Sequence, residues 1–190
     1  MNTQNESFIT LYAEATPNTD SMKFVVSKMI LPNDSVDYRN KEKAAHSPLA
    51  LALFEKPYVN GVFIMNNFVT ITKTHNSEWN DHIQELKSFI KDWVETDKPI
   101  VEKKQATNEE EENEIISKIK QLLDDHVKPA VEMDGGAISF KSFKEGVVTV
   151  VMKGSCSGCP SSTMTLKAGI ENLLKRMVPE VEAVEAEPDM

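Results

Sequence analysis

The sequence predicts an α/β fold of the α+β kind: two small domains, each a small sheet with helices on one face. Three observations lead there. Short β-rich runs alternate with longer stretches whose apolar residues recur every three or four positions. The order of these runs differs between the two halves, so the chain is not an internal repeat. Between the halves, residues 98–113 hold no aromatic side chain and a block of glutamates, Glu109 to Glu112, which cannot bury a core. The expected organisation is a domain over 1–97, an acidic linker over 98–113 and a domain over 114–190.

The first domain reads β-β-α-β-β-α. Phe8 to Tyr12 suggests a strand, and Thr16-Pro17-Asn18 a turn. Lys23 to Ile30 reads as a second strand. Ser47-Pro48 opens a helix, since Ser suits the N-cap and Pro the first helical position. Gly61 to Lys73 holds two β-rich runs around Asn66-Asn67, and Asn tolerates the positive φ of a tight hairpin. Trp79, Ile83, Leu86, Ile90, Trp93 and Val94 mark an amphipathic helix over 77–96. Phe8, Phe24 and Phe63 read as core.

The second domain reads α-β-β-α-β. Ile115, Ile119, Leu122 and Leu123 form a helical stripe that ends before Lys128-Pro129. Asp134-Gly135-Gly136 is a turn. Ala137 to Phe143 and Val147 to Met152 are strands joined by Lys144-Glu145-Gly146. A helix with Leu166, Ile170, Leu173 and Met177 on one face stops before Pro179. A short strand, Val181 to Val184, ends the domain, and the acidic tail is expected to fray. Met152, Met164 and Met177 read as core filler rather than copper ligands.

Charge narrows the partners. The formal net charge is −9, with 10 basic and 13 acidic side chains in residues 1–100 against 11 and 17 in residues 101–190. A phosphate backbone must be met by clustered Lys and Arg, so no nucleic-acid partner is expected. No apolar run approaches the ~20 residues that span a bilayer, so no membrane partner is expected either. Met1 to Phe8 is polar and carries no basic residue, which leads to an expectation of cytoplasmic residence.

Chemistry concentrates in Gly154 to Ser162, GSCSGCPSS, between a strand and a helix. Cys156 and Cys159 are the only two cysteines. A C-x-x-C disulfide closes too short a loop to constrain the unfolded chain much. Gly154 and Gly158 permit a sharp reversal, and Pro160 fits the first helical turn. Sulfurs near a helix N-terminus are favoured as thiolates, the form that binds metal and also the form that attacks disulfides. The spacing alone leaves both chemistries open. Two soft ligands are half of what a tetrahedral zinc or a cubane cluster takes. His46, His75, His82 and His126 lack metal-ligand spacing and read as ordinary surface or boundary residues. A four-sulfur site therefore needs a second chain, and a twofold homodimer supplies it from one contact. The loop is expected to protrude and to be open to solvent, so that a cluster can leave. Ser155 and Ser157 are candidate hydrogen-bond donors to sulfur.

The second half resembles the NifU-like (Nfu) domain of iron–sulfur cluster carriers. The matching residues are Val127-Lys128-Pro129-Ala130-Val131, Asp134-Gly135-Gly136, Gly154 to Ser162, Thr165-Leu166-Lys167, Gly169-Ile170-Glu171 and Val178-Pro179-Glu180-Val181. The first half is similar to the N-terminal domain of the same scaffold proteins. There the matching residues are Thr16-Pro17-Asn18, Lys23-Phe24, Ser47-Pro48-Leu49-Ala50, Leu53-Phe54, Gly61-Val62-Phe63, Phe68 to Lys73 and Trp79. The resemblance implies a [4Fe-4S] cluster held between two subunits by Cys156 and Cys159, received from an upstream assembly scaffold and handed to apo iron–sulfur proteins. It implies a carrier rather than an enzyme, with no catalytic residue and with an N-terminal domain that docks partners. One position departs from the family pattern: Ala137 stands where an acidic residue commonly follows the two glycines.

The main rival is a thiol–disulfide oxidoreductase using the same C-x-x-C pair. Against it, the βαβ unit expected before the pair is missing, and Pro160 follows the second cysteine. A copper carrier would need a Met in an M-x-C arrangement, which is absent. A purely structural adaptor is the third rival. Asp134 before two glycines is ordinary turn chemistry rather than a catalytic acid.

Overall fold

The structure, a computed structural model, describes residues 8–102, 114–157 and 160–188. The first half forms a five-stranded sheet in the order β1-β2-β5-β4-β3. Its strands are β1 (Leu11–Ala15), β2 (Ser21–Val26), β3 (Leu31–Tyr38), β4 (Val59–Asn66) and β5 (Phe68–Lys73), and every pairing is antiparallel. Two helices complete it, α1 (Pro48–Phe54) and α2 (Trp79–Glu95).

Local chemistry sets the ends of these elements. Ser47 caps α1: its Oγ accepts the Ala50 N–H at 3.2 Å, and Pro48 follows where a missing N–H costs nothing. Asn66 takes φ +47° and lets β4 turn directly into β5. Leu86, Ile90 and Val94 of α2 are buried, as their helical spacing demands.

Alternation divides the sheet into two faces. Phe24, Val26, Val62, Ile64, Val69 and Ile71 point to the helices and join Leu49, Leu53, Leu86 and Ile90 in the first core. Their neighbours Val25, Phe63 and Phe68 point the other way and pack with Ala137 of the second half. The position where the sequence departs from the family pattern thus lies in an apolar contact between the two halves.

The second half begins with α3 (Glu114–Leu122), a π-helical turn (Leu123–Val127) and α4 (Lys128–Met133). Next come β6 (Gly136–Lys144), β7 (Val147–Gly154), α5 (Pro160–Met177) and β8 (Ala183–Pro188). The sheet order is β6-β7-β8, with β6 and β7 antiparallel and β7 and β8 parallel. Its core gathers Ile119, Leu123, Val131, Ile138, Val148, Val150, Met152, Ile170, Leu174 and Val184.

The mixed α+β architecture of two sheets agrees with the expectation; several elements differ from it. Strand β3 was not expected. It is an edge strand containing Pro32, a positive φ at Asn33 and a bulge between Leu31 and Ser35, features that erase the alternating pattern. The first strand starts at Leu11, and Phe8 is 85% exposed rather than core. The helical stripe does not stop before Lys128-Pro129: it passes through the π turn and resumes, because Pro129 sits in the first turn of α4. The acidic tail through Glu187 pairs with β7 instead of fraying. Met152 is core, but Met164 is 72% exposed and Met177 is exposed as well. Of residues 98–113, the first five are tied to the first core. Ser47 Oγ donates to the Ile100 carbonyl at 2.7 Å, and the Glu102 N–H donates to the His46 carbonyl at 2.7 Å. The glutamate block, Glu109 to Glu112, lies outside the described residues.

Candidate functional site

Strand β7 ends at Gly154 with φ +68°, and a 3-10 turn (Ser155–Ser157) leads toward α5. Cys156 sits in the middle of that turn. Pro160 is the first residue of α5, as its fixed φ favours. Cys159 lies outside the described residues.

Cys156 is not on a protruding, solvent-open loop. It is 6% exposed and belongs to the second core. Its seat is made by Gly136: a Cβ there would lie 2.9 Å from Cys156 Sγ and 2.7 Å from the Lys153 carbonyl oxygen. No other residue type leaves room for the sulfur. The seat is pinned from both ends. Ser155 Oγ donates to the Asp134 carbonyl, and Thr163 Oγ1 in the first turns of α5 donates to the Cys156 carbonyl at 2.9 Å. Ser155 Oγ lies 3.9 Å from Sγ.

Burial pushes the Cys156 thiol above its ordinary range; the hydrogen bond with Ser155 opposes this, and the negative charge of Asp134 adds to it. The expectation of a thiolate at an open helix start is corrected for this cysteine. The sulfur lies in the second core, where desolvation penalises the charged form.

Residues of the first half also reach this turn. Thr70 Oγ1 donates to the Gly135 carbonyl at 2.7 Å. The Gly154 N–H donates to Asp37 Oδ2 at 3.1 Å. Lys23 Nζ donates to the carbonyls of Glu132 at 2.8 Å and Met133 at 3.3 Å, and lies 4.6 Å from the centroid of the Phe68 ring. Lys23 and Thr70 lie in segments that match the N-terminal domain of the family, but no sequence pattern gave them or Asp37 a contact with the cysteine turn. Each shares its strand face with other polar residues, Ser21, Thr72 and Ser35, so polarity does not single it out.

The histidines hold ordinary positions. His75 pairs with Asp20 at 2.6 Å, His82 stacks on Tyr58 at 3.6 Å between centroids, and His46 lies edge-on to Tyr38. Among the described residues, no group of three His, Cys, Asp or Glu side chains is placed to hold a metal ion. No described helix is long and apolar enough to cross a membrane.

Comparison with known proteins gives two family matches. Residues 11–97 match the family described as scaffold protein Nfu/NifU N terminal, and residues 119–185 match the NifU-like domain. The chain is 37% identical over 182 residues to the human protein named NFU1 iron-sulfur cluster scaffold homolog, mitochondrial, covering 94% of this chain and 72% of that one. It is 39% identical over 180 residues to the Drosophila erecta protein of the same name, covering 92% and 64%. With NifU-like protein 5, mitochondrial, of Arabidopsis thaliana it shares 37% identity over 187 residues, covering 94% and 68%. These relatives are mitochondrial by name. That overturns the cytoplasmic expectation. The expectation rests on the polar character of Met1 to Phe8, and compartment does not follow from where this sequence begins.

Proposed function

The chain belongs to the Nfu/NifU scaffold-protein family, and on that premise we propose that it carries an iron–sulfur cluster as cargo on Cys156 and Cys159. The observation that carries the reading is the seat of Cys156. The chain's first thiol lies in the turn between β7 and α5, three residues before its only other thiol, inside the segment matching the NifU-like domain.

Two thiols are half of the ligand set of a [4Fe-4S] cluster. The carrier is therefore a homodimer with one cluster between two turns, and the twofold contact brings the same pair from each copy. On loading, each thiol releases its proton to water and forms its S–Fe bond as the bond from that iron to a thiolate of the donor scaffold breaks. On delivery, a thiolate of an apo-protein forms a new S–Fe bond as the bond to Cys156 or Cys159 breaks. No bond of the acceptor is otherwise changed, so the protein acts as a carrier and not as an enzyme. Its donor is an upstream assembly scaffold, and its acceptors are apo iron–sulfur proteins. Residues 1–97 form the partner-docking domain.

The buried thiol of Cys156 argues against the oxidoreductase. An attacking cysteine needs a stabilised thiolate, whereas burial here favours the protonated form. A metal displaces that proton as it binds. The test is anaerobic reconstitution with iron and sulfide followed by analysis of both elements. Wild type retains iron and sulfide in equal amounts, and Cys156→Ser and Cys159→Ser each lose them. Retention by either variant contradicts the ligand assignment.

A further inference from the structure

The contacts between the halves are not scattered. Lys23 pairs with Thr70 across β2 and β5, Thr70 with Phe63 across β5 and β4, and Phe63 with Asp37 across β4 and β3. Four strands thus offer one cross-strand row, Lys23-Thr70-Phe63-Asp37, on the face away from α1 and α2. Every member of that row meets the backbone around the cysteine turn. Lys23 binds the end of α4, Thr70 binds Gly135, and Asp37 binds Gly154. The Phe63 ring lies against Gly154, where a Cβ would come within 2.8 Å of its Cδ1. A Cβ on Gly135 would lie 2.9 Å from Thr70 Oγ1. The fit tolerates no side chain at either glycine. Thr70 is 1% exposed because of this docking.

The row also touches the mechanics of the turn. The Gly135 carbonyl accepts two hydrogen bonds, from Thr70 Oγ1 at 2.7 Å and from the Ser155 N–H at 3.4 Å. Gly154, held by Asp37, lies two residues before Cys156. Moving Cys156 out of its seat requires Gly154 and Ser155 to move, which disturbs both bonds.

We propose that the bare sheet face of the N-terminal half is a receptor for the Gly135–Ser155 cradle, and that Asp37 and Thr70 are positioning residues that hold the cysteine turn closed with Cys156 buried. Docking and the buried thiol are then one state. Opening the turn weakens docking, and releasing the dock eases opening, because the coupling is reciprocal. Its meaning for loading rests on the proposed cluster role: a ligand that pulls Cys156 from its seat loosens the N-terminal half, freeing the face that held it.

The test uses the full-length, metal-free chain, so its outcome is independent of whether a cluster binds. The rate of iodoacetamide alkylation at Cys156 is mapped by mass spectrometry, and amide exchange is followed at Gly154 and Ser155. Thr70→Val keeps the shape of the side chain and removes only the donor. Thr70→Ser keeps the donor. Losing one hydrogen bond from the closed state speeds opening by roughly fivefold. Thr70→Val and Asp37→Ala are each expected to raise both rates by about that factor, and the double variant by more than tenfold, while Thr70→Ser stays within about twofold of wild type. Circular dichroism and the fluorescence of Trp79 and Trp93 report the fold of each variant. The proposal is overturned if folded Thr70→Val alkylates at the wild-type rate, or if Thr70→Ser accelerates as much as Thr70→Val.

Discussion

The N-terminal sheet joins β4 to β5 through Asn67 alone, whereas the C-terminal sheet needs the whole of α5 to bring β8 alongside β7. The cause is direction. An antiparallel pair closes with a tight hairpin, and a parallel pair needs a crossover that returns the chain to the starting edge. The crossover begins where a strand ends and a helix starts, and that junction is where the chain changes course with backbone groups to spare. Both sheets put their helices on one face, and the first also runs from β5 into α2, but only the junction of β7 and α5 opens a crossover between parallel strands, and Cys156 occupies it. The first sheet contributes its helix-free face instead, where Val25, Phe63 and Phe68 pack with Ala137. The comparison teaches that similar layers divide the labour by connection type: one sheet builds the turn, and the other supplies the surface on which it rests.

Five substitutions break or sharpen that comparison. The largest effects come from emptying the two cores. Ile64→Ala in the first and Ile170→Ala in the second each remove a fully or nearly fully buried side chain, at a cost of about 2–5 kcal/mol in denaturant unfolding. They differ at the site. Ile170 shares its core with Cys156, so only Ile170→Ala is expected to speed alkylation of Cys156 under native conditions.

Gly136→Ala comes next. Its new methyl meets both the sulfur and the Lys153 carbonyl, and overpacking of this kind costs about 1–3 kcal/mol. Thermal unfolding gives the cost. A sulfur forced from its seat also becomes alkylatable, whereas an unchanged alkylation rate means that the seat relaxes in place.

Ser47→Ala costs about 1 kcal/mol by removing the cap of α1. It also frees the Ile100 carbonyl, so amide exchange at Glu102 rises while exchange in the C-terminal sheet stays as it was.

The smallest effect is tied to pH. The hydrogen bond from Lys73 holds the Asp20 carboxyl below its ordinary value, helped by His75 and opposed by burial. A lowered folded-state pKa stabilises above the unfolded value of 3.8, and the gain is lost as pH falls through the lowered one. Asp20→Asn therefore lowers the melting temperature at pH 7, by less than 1 kcal/mol equivalent for this partly exposed group. Wild type and variant converge well below pH 3.8. No convergence means that the pair does not act through charge.

Much of this was legible because it is local chemistry. Ser47-Pro48, Asn66, Lys144-Glu145-Gly146 and the stripe of α2 each announce themselves within a few residues, and the structure uses them as read. Strand β3 was hidden because an edge strand answers to its partner on one side only, so Pro32 and Asn33 are tolerated there. The chemistry of the cysteine turn was legible in its composition, but its burial was not. Ser and Gly around a cysteine suggest an open loop; here Gly136, Gly154 and Ser155 are small because they pack against backbone and the sulfur. Asp37 and Thr70 were invisible for a different reason. Their contacts lie 117 and 65 residues away along the chain, and no local pattern encodes a neighbour at that distance.

The central claim is one cluster held by two chains through Cys156 and Cys159. Native mass measurement of the anaerobically reconstituted protein tests it most directly. The account predicts a dimer whose excess mass equals four irons and four sulfides, returning to bare chains when the cluster is chelated. A cluster retained on a single chain contradicts it.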